Sequence, residues 1–77
     1  NPFNPVTNIG LRISDLGFVS VKIFDISGKE VAVLVNETLS AGVYNVDFDA
    51  SHLASGTYFY RMETAGFTDV KKMILVK

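Results

Sequence analysis

Apolar and polar residues alternate along most of the chain with the two-residue period of half-buried β-strands. Ile9, Leu11 and Ile13 are apolar where Gly10, Arg12 and Ser14 are not, and Val19, Val21 and Ile23 repeat the pattern against Ser20 and Lys22. These six side chains are expected to face a core. Phe18 and Phe24 fall on the polar parity of the second strand, so each is expected to take cover from a loop or a sheet edge. Lys29 to Asn36 is too β-branched to prefer a helix and is predicted as a third strand, with Val31, Val33 and Val35 on one side and Leu34 ambiguous. Tyr44, Val46 and Phe48 alternate with Asn45, Asp47 and Asp49, and Tyr58, Tyr60 and Met62 do the same between Thr57 and Thr64. A last strand is predicted over Phe67 to Lys77, where a β-bulge would account for the broken parity between Val70 and the run from Met73 to Val76.

Turn chemistry punctuates these strands. Asp25-Ile26-Ser27-Gly28 has an acceptor side chain at the first position and Gly at the fourth, as in a type I turn closed by a left-handed Gly, and Ala65-Gly66 marks a second turn. Leu39-Ser40-Ala41-Gly42-Val43-Tyr44 and Leu53-Ala54-Ser55-Gly56-Thr57-Tyr58 share the pattern L-x-[AS]-G-x-Y, 14 residues apart. In each the Leu is expected to plug the end of a sandwich, the Gly to take a positive φ or a close backbone approach, and the Tyr to point inward. The offset is too short for a solenoid repeat, which leaves two equivalent lead-ins to strands. The whole reads as an all-β domain, a small immunoglobulin-like antiparallel β-sandwich of six to seven strands.

Composition narrows the function. With 77 residues, 48% of them hydrophobic and 19% charged, the chain is long enough for one core and too apolar for a disordered tail. No apolar run nears the roughly 18 residues of a membrane helix, so no membrane span is expected. A net charge of −1 without a basic stripe speaks against a nucleic-acid partner. Absence of Cys removes disulfides, thiolate metal sites and thiol nucleophiles together, and no cofactor is implied.

Candidate chemistry is sparse. The one histidine, His52, adjoins Ser51 in a polar connection, and neighbouring side chains rarely meet as nucleophile and base, so a surface turn outweighs a catalytic reading. Asp47 and Asp49 share a strand face about 7 Å apart, which reads as a solvated face rather than two carboxyls flanking a groove. Asp15, Asp25, Asp47, Asp49 and Asp69 lie near strand ends, yet they form no D-x-D-x-D-G loop, and calcium needs six to eight oxygens brought together. Phe18, Phe24 and Phe59 sit opposite their strands' apolar neighbours, where a sugar-stacking platform competes with packing. No catalytic, metal or cofactor residue is assigned.

Both ends carry information. Asn1-Pro2-Phe3-Asn4-Pro5 sets an Asn before each Pro, which stiffens the chain and leaves Phe3 as an anchor, as expected where a linker meets an appended domain. The expected organisation is residues 1–5 as linker end and opening motif, with residues 6–77 as a single sandwich. At the other end, Lys71-Lys72-Met73-Ile74-Leu75-Val76-Lys77 admits two readings: a closing strand whose lysines protect an edge, or a terminal signal open to strand addition by a partner.

The ordered motifs N-P-F-N-P-x-T-x-I (1–9), V-x-I-F-D-x-x-G-K-E-V (21–31), L-x-x-G-x-Y-x-x-x-F (39–48), F-D-A-S-x-L-x-S-G-x-Y-F-Y-R (48–61) and K-x-I-L-V-K (72–77) cover the chain. Together they resemble the type A C-terminal sorting domain of the type IX secretion system, and the sandwich is similar to the immunoglobulin-like domain of flagellar hook-capping proteins. Pro2, Phe3, Asn4 and Pro5 match the opening motif, Asp25, Gly28 and Lys29 the hairpin, Gly42 the first lead-in, and Gly56, Tyr58 and Arg61 the second. The Tyr-Pro that commonly precedes Asn-Pro in the family is not among these 77 residues and is expected to lie before Asn1. The resemblance implies a non-catalytic domain on an exported cargo of Bacteroidetes-type bacteria. That cargo crosses the periplasm and outer membrane to the surface or medium, is recognised by the type IX machinery, and often loses this domain to a surface peptidase. Lys71, Lys72 and Lys77 are the expected recognition residues, and the cargo domain is expected N-terminal in the same chain. The alternative is a carbohydrate- or partner-binding or spacer module on a secreted hydrolase.

Overall fold

The computed structural model describes residues 6–76, which form six strands and no helix. In chain order these are β1 (Val6–Ile13), β2 (Gly17–Asp25), β3 (Glu30–Leu39), β4 (Gly42–Asp49), β5 (Gly56–Glu63) and β6 (Thr68–Leu75). β1 pairs with β4, and the other four make a sheet in the order β3-β2-β5-β6, all antiparallel. The two sheets sandwich one core, the small immunoglobulin-like arrangement expected from the alternation.

The inward parity of each strand builds that core. Ile9, Leu11 and Ile13 of β1 and Phe48 of β4 meet Val19, Val21 and Ile23 of β2, Val35 of β3, Tyr58 and Met62 of β5 and Leu75 of β6. Val21 and Ile23 are 0% exposed, since β2 is flanked by β3 and β5 and covered by the second sheet. Leu39 and Leu53 pack against the core margin as the end plugs their repeats require.

Three expectations need correction. Val21 pairs with Val35 but Lys22 pairs with Val33, so Leu34 is an extra residue on β3; a second irregularity follows between Ile23 and Phe24. The bulge turns Val33 to the outer face beside Lys22, 47% exposed, rather than inward with Val35, and β3 continues past Asn36 to Leu39. On β6 the expected bulge is absent, because the ladder from Gly56↔Leu75 to Glu63↔Thr68 is unbroken. The parity puzzle has another cause: β6 lies at a sheet edge, so its inner face holds exposed Lys71 as well as buried Leu75, and Ile74 and Val76 stay in solvent. Finally, Phe18 receives no cover and is 54% exposed.

Local chemistry explains the turns. Gly28 has φ 89°, in the left-handed region, and its N–H donates to Asp25 O at 3.0 Å, while Asp25 N–H donates to Lys29 O at 2.9 Å. In the two repeats, Gly42 and Gly56 have φ 155° and 153°, outside the range of L side chains. Tyr44 and Tyr58 then return their hydroxyl protons to Ser40 O and Ala54 O, both at 2.7 Å.

Candidate recognition surface

Because β6 closes one side of the four-stranded sheet, its outward side chains extend a surface begun on β2 and β5. Register places Val70 beside Arg61, which faces Lys22, and Lys72 beside Phe59, which faces Phe24; Ile74 lies beside Thr57. Phe24, Ile26, Phe59, Arg61 and Val70 line a shallow depression of about 300 Å³. The Arg61 guanidinium carbon lies 5.0 Å from the centre of the Phe24 ring, a cation–π contact over this half-buried aromatic. Its Nε is 3.3 Å from Glu63 Oε1, yet that atom is buried and outside hydrogen-bond geometry. Lys22 reaches Glu30 Oε1 at 3.6 Å, a largely exposed pair.

The hairpin beside this surface is held electrostatically. Asp25 Oδ1 accepts from Ser27 Oγ at 2.6 Å, from Ser27 N–H at 2.9 Å and from Lys29 N–H at 3.0 Å. The Ser27 hydroxyl above all, and then the Lys29 amide, hold the carboxyl below its ordinary value of 3.8.

The family model described as the secretion system C-terminal sorting domain matches residues 1–77, the whole chain. The chain belongs to the type IX C-terminal sorting domains. No curated protein and no solved structure matches it. A sorting domain of this kind is carried by a cargo exported to the cell surface or medium through the outer membrane. None of the described residues forms a helix long and apolar enough to cross a membrane.

On the sorting domain, the structure separates residues that are neighbours in sequence. Lys71 and Lys72 are both exposed on β6 but point to opposite faces, Lys71 inward beside Tyr60 and Lys72 outward beside Phe59. Asp25, Gly28 and Lys29 gather at one hairpin, Gly42 and Gly56 with Tyr58 at the two lead-ins, and Arg61 at the outer depression. Pro2, Phe3, Asn4, Pro5 and Lys77 lie outside the described residues. His52 sits exposed in the turn closed by Leu53 N–H to Ala50 O at 3.0 Å. Asp47 accepts from the Asn8 amide at 3.0 Å across the β1–β4 pair, and Asp49 accepts from Ser51 N–H at 2.9 Å. Among the described residues no three His, Cys, Asp or Glu side chains gather as a metal would need.

Sequence reasoning missed the Arg61–Phe24 pair, since it depends on how β2 and β5 are registered across 37 residues of chain. Their one shared signal is parity, both lying on the strand positions opposite the core residues.

Proposed function

We propose that this chain is a non-catalytic sorting domain, recognised on its cargo by the type IX outer-membrane translocon through β6 and the neighbouring outer surface, and removed at the cell surface by a peptidase. Residues 1–5 end the linker from the cargo, and residues 6–77 form the sorting unit. Lys71, Lys72 and Lys77 are the recognition cations. The supporting observation is the family match over the entire chain, joined to the position of β6 at a sheet edge.

The test is export of a full-length cargo carrying this domain, with and without residues 72–77. Loss of the cargo from the medium is the expected result, and undiminished delivery would end the proposal. Lys72→Ala and Lys77→Ala, run alongside, keep the strand and report on the side chains alone.

One observation favours a second reading. Phe18 is 54% exposed beside a shallow depression that also takes in Lys22, Asn36 and Glu63, a mixture of aromatic and polar groups suited to a saccharide. Retention on polysaccharide, lost in Phe18→Ala, would support this binding role. A spacer role predicts instead a lower melting temperature of the cargo after deletion, with export intact.

A further inference from the structure

The two edges of the four-stranded sheet are built differently. β3 meets β2 with two register shifts, irregularities that bend an edge against pairing. β6 meets β5 in unbroken register over its full length. The Thr64 N–H donates to Phe67 O at 2.9 Å, which makes Thr64 and Phe67 a hydrogen-bonded pair and sets the alternation beyond it. Asp69, Lys71, Met73 and Leu75 therefore turn their backbone groups toward β5, and Thr68, Val70, Lys72 and Ile74 turn theirs to the open side. Among the described residues no strand lies on that side.

The same outward set carries the exposed side chains Val70 and Ile74, at 55% and 62%, with Lys72 between them. Neither Lys71 nor Lys72 makes an ion pair among the described residues, and Arg61 lies one strand away from Val70. A row of open backbone donors and acceptors, with the unpaired Lys72 between the apolar Val70 and Ile74, is complementary to an extended segment that alternates apolar and acidic residues.

Building on the export reading, we infer that the machinery engages this domain by strand addition. An extended segment of the partner pairs with β6 along Thr68 to Ile74, sets apolar side chains against Val70 and Ile74, and places a carboxylate by Lys72. Backbone pairing supplies affinity independent of the cargo, while Lys72 and the apolar pair select the segment.

Proline at position 72 tests this directly, because the Lys72 N–H points away from β5 and its loss leaves the β5–β6 ladder intact. In the exported cargo, Lys72→Pro is expected to lower delivery roughly tenfold relative to Lys72→Thr, which keeps the N–H and the strand preference. Equal delivery by both variants, at a level above that of the blocked 72–77 deletion, overturns strand addition and leaves the export reading standing. Normal delivery by the deletion overturns both. Should Lys72→Pro unfold, or should loss of the Lys72 charge block both variants, amide exchange on the unaltered domain decides the matter. A synthetic peptide of about eight residues alternating Val and Glu should slow the amides of Val70, Lys72 and Ile74 roughly tenfold. No slowing, or equal slowing by the Val and Lys peptide, overturns the inference.

Discussion

The phenol of Tyr58 donates to the backbone carbonyl of Ala54, 2.7 Å away and four residues upstream, and so ties the start of β5 to the loop that leads into it. Tyr44 repeats the bond to Ser40 at the start of β4. In immunoglobulin-like sandwiches a tyrosine corner of this kind pins a loop with one hydroxyl. Here it occurs twice, once in each sheet.

Tyr58→Phe should cost about 1 kcal/mol, and somewhat more than Tyr44→Phe, because Tyr58 is buried and leaves the Ala54 carbonyl with less access to water. Denaturant unfolding of the two variants and of the double variant measures this. The corners lie in different sheets, so their costs should add.

Gly56→Ala should destabilise by about 1–3 kcal/mol even though a Cβ there meets nothing within 4 Å. The cost is in the backbone, whose φ of 153° an alanine resists. Gly66→Ala, with equally open space and an ordinary φ, serves as the near-neutral control.

Ser20 and Ile23, both buried on β2, should respond with opposite signs. Ile23→Ala removes a side chain with 0% exposure and should cost about 2–5 kcal/mol. The Ser20 hydroxyl is buried with no hydrogen-bond partner, so Ser20→Ala should be neutral or stabilising, by up to about 1 kcal/mol. Thermal melts separate them, a change of 1 kcal/mol moving a domain of this size by about 4–8 °C.

Acid should loosen the β2–β3 hairpin through Asp25. The folded carboxyl titrates below its ordinary 3.8, so its contribution is complete above that value and disappears as the pH falls through the lower, folded one. The urea midpoint attributable to this group should therefore be flat from neutral pH down to about 5 and fall below about 4. Asp25→Asn, measured over the same series, should show a shallower acid slope.

Alternation determined the strand content and the inward side chains of β1, β2, β4 and β5, and turn residues determined the Asp25–Gly28 turn and the paired Leu-Gly-Tyr lead-ins. Each is a local property: side chains on a strand alternate because of backbone geometry, and the turn and the corners close within a few residues. Partner strand and partner register are not local. The bulge at Leu34 that sends Val33 outward, the stacking of Arg61 on Phe24 and the open side of β6 all follow from which strands lie next to one another, and only the folded sheet order decides that. A motif near the C-terminus thus reads as a strand from its residues, but as an edge only from its neighbours, because a strand's free hydrogen bonds are defined by the chain that does not flank it.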